Sequence, residues 1–157
     1  MGLRVLVSEP VAARRERAQQ LGHAVHAPEG SARDVARSVR EMTGAAAQIV
    51  VDASGVPTAL EAAPDMTARG GRIAVVGLPK HPPVIDAARL VLYERSLVGS
   101  LGYAHDLPRA ATMIAAGRLD PERLITKVIP LAQTPDELAR LAAGAADEIK
   151  VLIDVNA

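Results

Sequence analysis

Gln48-Ile49-Val50-Val51-Asp52, the turn Ala53-Ser54-Gly55, a helix-forming stretch entered near Pro57, and Arg72-Ile73-Ala74-Val75-Val76 decide the fold. Two short β-branched runs separated by one helix-length segment read as a β-α-β unit, a connection that makes its two strands parallel. The unbroken apolar run of Gln48 to Asp52 predicts a fully buried strand. Pro64 falls inside the predicted helix, where it removes a bond to the Leu60 carbonyl and is expected to kink or shorten it.

The alternation continues in both directions. Leu3 to Ser8 is a short apolar run, Pro10 to Leu21 reads as a helix stopped by Gly22, and His23 to Ala27 is a weaker strand. Ser31 opens a helix with Asp34 three residues on, Val35, Val39 and Met42 share one face, and Gly44 closes it. Downstream, Asp86 caps a helix running through Glu94, Leu97 to Leu101 is a strand, and Asp106 caps a helix ending at Gly117. Thr134, Pro135 and Glu137 form a helix-start signal, and Ile149 to Val155 is a last apolar strand. Strands alternating with helices imply an α/β fold: a parallel sheet with helices on both faces. The sequence shows no internal repeat, low-complexity tract or long linker, and the loop from Leu78 to Val84, with Pro79, Pro82 and Pro83, is its stiffest connection.

Composition narrows the function classes. The 157 residues carry 18 Lys and Arg against 18 Asp and Glu, no Cys, Trp or Phe, and two Tyr. One domain is the expectation, with a core of small aliphatic side chains. Balanced charge argues against nucleic acid and against an anionic membrane surface as partners. The absence of cysteine excludes disulfides, thiolate nucleophiles and Cys-rich metal centres. The N-terminus reaches Glu9 after a short apolar run and carries no secretory pattern, so a cytoplasmic location is expected.

Candidate site residues gather at the carboxyl ends of the predicted strands, where parallel sheets bind ligands. Glu9 stands there as a possible acceptor for two ribose hydroxyls, or as an acid favouring the start of the following helix. Asp52-Ala53-Ser54-Gly55, Val76-Gly77-Leu78-Pro79 and Gly99-Ser100-Leu101-Gly102-Tyr103 are small-residue turns that would let a ligand approach the backbone. Tyr103, His105 and Asp106 follow the last of these and are candidates for acid–base work, with Asp106 also a helix cap. His23 and His26, three apart on a strand, point to opposite faces and do not suit shared metal coordination, so no metal site is expected. Arg14, Arg15 and Arg17 read as a phosphate contact or as a solvated helix face. Among the 12 glycines no two are separated by a single residue, which excludes G-x-G-x-x-G, and no P-loop or G-x-S-x-G elbow is present.

Val7-Ser8-Glu9-Pro10, Val50-Val51-Asp52-Ala53-Ser54-Gly55, Gly70 to Gly77, Gly99-Ser100-Leu101-Gly102-Tyr103 and Lys150-Val151-Leu152-Ile153 resemble, in order and spacing, the zinc-type alcohol dehydrogenases of the medium-chain dehydrogenase/reductase family, butanediol and sorbitol dehydrogenases above all. The resemblance covers Leu3 onward and corresponds to about the second half of a family member. It implies one truncated Rossmann-like domain over residues 1–157, with a core at 1–130 and a C-terminal helix and strand at 131–157. The family's N-terminal catalytic domain, with its zinc ligands and proton relay, has no counterpart, nor has the first β-α unit with its glycine-rich turn. By position, Glu9 would hold the adenosine ribose of NAD with Arg14 beside it. Ser54, Gly55, Val76, Gly77 and Leu78 would flank the nicotinamide, and Ser100 and Leu101 its carboxamide.

The missing strand is central in the order 3-2-1-4-5-6 and would leave two open edges. Three closures are expected alternatives: Leu3 to Ser8 pairing with Gln48 to Asp52, Ile149 to Val155 moving in, or a partner chain supplying the missing half. The family builds a homodimer near Pro83 to Asp86 and Leu97 to Leu101, which makes a homodimer the default here. Three functions compete: a dehydrogenase remnant tied to NAD, without zinc and not self-sufficient for hydride transfer; a non-redox lyase, isomerase or cyclase reusing the vacated crevice for a small molecule, with Glu9, His105 or Tyr103 as acid or base; and a non-catalytic assembly module.

Overall fold

The computed structural model describes residues 3–103, 106–144 and 148–156. In chain order these form β1 (Leu6–Ser8), α1 (Ala12–Gln20), β2 (Ala24–His26), α2 (Ala32–Thr43), β3 (Ala47–Asp52), α3 (Pro57–Met66), β4 (Thr67–Val75), α4 (Ala87–Leu92), β5 (Ser96–Gly99), α5 (Asp106–Ala115), β6 (Lys127–Pro130), α6 (Thr134–Ala142) and β7 (Val151–Asp154). The fold is α/β, and every described strand pairing is parallel.

The chain divides into two compact units. The unit Pro28–Gly102 contains the three-stranded sheet β3-β4-β5. Its first helix is specified locally: the Ser31 hydroxyl accepts from the Asp34 amide, the Asp34 carboxylate accepts from the Ser31 amide, and Gly44 ends the helix at φ 71. β3 and β4 run in register from Ile49 opposite Arg72 to Asp52 opposite Val75. Leu60 and Ala63 of α3 pack on Ile73 of β4, with Val50, Met66, Val75, Ile85 and Leu90 around them. Pro64 stands in the last turn of α3, and Thr67 closes that turn by donating its hydroxyl to the Ala63 carbonyl at 2.7 Å.

Strand β3 is not fully buried, contrary to the expectation from its unbroken apolar run. Ile49 and Val51 are 59% and 61% exposed. Side chains alternate across a strand, and only the row of Val50 and Ile73 meets α3. α4 also ends early, at Leu92 rather than Glu94, because Glu94 turns into the left-handed region at φ 54 and the Arg95 amide returns to the Leu90 carbonyl.

The unit Met1–Ala27 with Tyr103–Ala157 contains the pairs β1-β2 and β6-β7. α1 is tied to the later segment through Arg17, whose guanidinium donates to the Arg123 carbonyl. A buried Glu137 anchors α6: its carboxylate receives Lys127 of β6 at 2.6 Å and Arg140 at 2.7 Å, and Arg140 reaches on to Glu148 at 3.2 Å. These hydrogen bonds, from Arg140 first and then Lys127, hold the Glu137 carboxyl down to about 2. β7 pairs with β6 and β1 with β2.

Candidate functional site

The carboxyl ends of β3 and β4 are joined by two turns, and backbone chemistry explains their geometry. The Asp52 carbonyl accepts from both the Val76 amide at 2.8 Å and the Gly77 amide at 2.9 Å. One carboxylate oxygen of Asp52, Oδ1, accepts from the Ser54 amide at 3.1 Å and from the Ser54 hydroxyl at 2.6 Å. The Ser54 hydroxyl in turn accepts from the Val56 amide at 3.1 Å, just before α3 begins. Gly55 adopts φ 66, which glycine reaches without strain, and a side chain there would meet the Leu78 carbonyl at 2.7 Å. Gly77 approaches still closer, since a Cβ on it would fall 2.2 Å from the Gly55 nitrogen. The two glycines thus let two backbones touch.

Ser54, Gly55, Val76, Gly77 and Leu78 are accordingly brought together as one interlocked pair of turns. Ser100 joins them through its amide, which donates to the Val75 carbonyl at 2.9 Å. Around this polar framework the surface is apolar and open: Leu78 and Leu101 are 83% and 94% exposed. Asp52 is the opposite, only 6% exposed, and its second oxygen, Oδ2, is buried with no hydrogen-bond partner. Sequence reasoning quoted Asp52 within a motif without assigning it a role. The signal available was an acid two residues before a serine at a strand end, a common side-chain turn.

In the other unit Glu9 follows β1. Its Oε1 accepts from the Val11 amide at 2.9 Å, so one oxygen closes the turn into α1. Arg15, rather than Arg14, lies against it, donating to the Glu9 and Pro10 carbonyls at 2.8 and 2.6 Å. Arg14 instead reaches the Glu148 carbonyl at 3.4 Å, and its Nε is buried without a partner. His26 is buried, with Nδ1 2.9 Å from the Ser8 hydroxyl. Tyr103 is exposed, Asp106 begins α5 with Arg109 3.9 Å away, and His105 lies outside the described residues. Among the described residues no group of three or more His, Cys, Asp or Glu is placed to hold a metal ion. No helix there is long and apolar enough to cross a membrane.

Known proteins share this sequence and fold. Residues 1–116 match the family model described as zinc-binding dehydrogenase. The chain is 35% identical over 159 residues to 2-dehydro-3-deoxy-L-galactonate 5-dehydrogenase of Pseudoalteromonas atlantica, covering 100% of this chain and 46% of that protein. It is 25% identical to (R,R)-butanediol dehydrogenase of Bacillus subtilis, covering 91% of this chain and 41% of that one. Among solved structures, alcohol dehydrogenase TADH from Thermus sp. ATN1 superposes with a TM-score of 0.80 at 27% identity, over 96% of this chain and 43% of that chain. The chain thus spans under half the length of the relatives it matches. It belongs to the zinc-type alcohol dehydrogenases of the medium-chain dehydrogenase/reductase family, of which it represents the Rossmann-like part.

Proposed function

We propose that this chain is the nucleotide-binding part of an NAD-dependent dehydrogenase, with hydride transfer depending on a zinc-binding catalytic domain that residues 1–157 do not include. The observation that carries the reading is the interlocked pair of turns at 52–55 and 76–78, in a chain whose family match spans residues 1–116. The residues fit the nicotinamide end of the cofactor. The turns are cross-linked by hydrogen bonds, Leu78 and Leu101 on their rim are exposed, and Asp52 holds an orphaned buried oxygen. When bound, the nicotinamide supplies the hydride acceptor. Ser54, Gly55, Val76, Gly77 and Leu78 orient the ring, Ser100 and Leu101 receive its carboxamide, and Glu9 accepts from the adenosine ribose. The pyrophosphate fits less well, since no G-x-G-x-x-G turn occurs in residues 1–157 to present helix N-terminal amides to it.

A second copy is the default neighbour. Its docking edge is β5, which pairs only with β4 among the described residues and exposes every residue from Ser96 to Gly99. Calorimetric titration of the purified chain with NADH tests the reading. A micromolar dissociation constant supports it, and no detectable heat rejects stand-alone cofactor binding. Light scattering of the same sample reads the mass of the assembly, and a monomer at tens of micromolar would remove the homodimer.

A further inference from the structure

We propose that Asp52 sets the preference of this site between the two redox forms of the nicotinamide, favouring the oxidised, cationic ring; the inference rests on the NAD reading above. Asp52 is 6% exposed, and no lysine, arginine or histidine pairs with it among the described residues. Its Oδ1 is engaged by the Ser54 amide and hydroxyl, its backbone carbonyl by the amides of Val76 and Gly77, and its Oδ2 by nothing. The carboxylate is therefore bonded into the 52–55 turn, while the backbone carbonyl of the same residue holds the 76–78 turn, so Asp52 sits at the junction of the two turns assigned to the nicotinamide.

The oxidised ring carries a positive charge and the reduced ring none. An anion fixed beside the ring in a poorly screened environment favours the charged form over the neutral one. Both donors on Oδ1 are neutral, and no cation among the described residues pairs with the carboxylate. The turn lock keeps the carboxylate from turning out to water when the ring arrives, so its field is organised in advance. Asp52 is thus a positioning residue for the turns and a specificity-determining one for the cofactor's redox state.

The two roles separate by substitution. Asp52→Asn keeps an oxygen to accept from Ser54 and removes the charge, whereas Ser54→Ala keeps the charge and loosens the turn. NADH fluorescence titration and competition by NAD+ give the ratio of the two dissociation constants for each purified chain, with thermal melts confirming folding. Asp52→Asn is expected to shift the ratio by about tenfold toward NADH, and Ser54→Ala to weaken both forms alike with the ratio unchanged. Asp52→Ser is the second charge-removing variant should the asparagine chain fail to fold. A ratio within about twofold of wild type in a folded charge-removed chain overturns this inference and leaves the NAD reading standing. Failure of the wild-type chain to bind either form overturns the NAD reading and this inference together.

Discussion

Replacing Gly77 by alanine probes the contact on which the two turns depend. The added Cβ would fall 2.2 Å from the Gly55 nitrogen and 2.9 Å from both the Ala53 carbonyl carbon and the Ser54 nitrogen. Attractive contacts between such atoms begin near 3.5 Å, so the turns must separate by about 1 Å. All three opposing atoms belong to the backbone, and the 53–55 turn is pinned by Asp52, so no side-chain rotation relieves the clash. Gly77 lies outside the positive-φ glycines, so alanine costs no backbone strain there. In fact it removes unfolded-state freedom, a gain of about 0.4–1 kcal/mol. Overpacking costs about 1–3 kcal/mol, with the upper end applying to rigid surroundings. The net loss is about 2 kcal/mol, which lowers the melting temperature of a chain of this length by about 4–8 °C. Gly99→Ala is the control, since nothing lies within 4 Å of a Cβ there. It should melt at or slightly above the wild-type temperature. Circular dichroism melts and urea midpoints read both variants, and a Gly77→Ala chain as stable as Gly99→Ala would refute the close-approach argument.

The remaining expectations test other parts of the structure. The Glu137 carboxyl is lowered from its ordinary 4.5 to about 2 in the folded chain, so its contribution is complete above about 4.5 and is lost as pH falls toward 2. Urea midpoints measured down that range should fall more steeply for wild type than for Glu137→Gln, and parallel curves would contradict the assigned network. Thr67→Val keeps the shape of a fully buried side chain and removes its bond to the Ala63 carbonyl. It should cost about 1 kcal/mol by urea unfolding, and a neutral result would deny that bond a role. In competition against NADH, nicotinamide mononucleotide should displace more effectively than ADP-ribose, by about tenfold, because the pyrophosphate lacks its helix-terminus amides. Equal displacement would show that the nucleotide end is bound by other means.

What the sequence made legible is what depends on near neighbours. The Ser31 and Asp34 signal, with Gly44 closing the helix, matches a capping box observed atom for atom, because every partner lies within a few residues. The β-α-β unit at 47–75 was readable from period alone, and so was the gathering of small residues at the strand ends. The exposure of Ile49 and Val51 was not, since an apolar run does not say which of its two faces another element covers. β6 is not legible in the sequence because it is four residues ending in Pro130, too short to show a period. The glycines of the site were recognised as permissive residues, but the contact between Gly55 and Gly77 joins positions 22 residues apart and becomes visible only in three dimensions. Arg15 takes the place expected of Arg14 because one residue on a helix rotates the side chain by about 100°.

The two ends of the expected cofactor site are unequal for one physical reason. Apart from Ser100 and Leu101, what would shape the proposed nicotinamide end is made between residues 52 and 78: the Asp52 carbonyl, its Oδ1, the Ser54 hydroxyl and the two glycines. Such a site forms whenever β3, α3 and β4 form, and their packing around Ile73 does not wait for a ligand. The adenosine and pyrophosphate end depends on a glycine-rich turn that residues 1–157 do not contain. Its one acid, Glu9, already gives an oxygen to the Val11 amide. On the proposed reading, binding free energy for residues 1–157 comes mainly from a small, apolar-rimmed surface, and a carboxylate without a cationic partner among the described residues weighs more heavily there than it would beside a fully cradled dinucleotide.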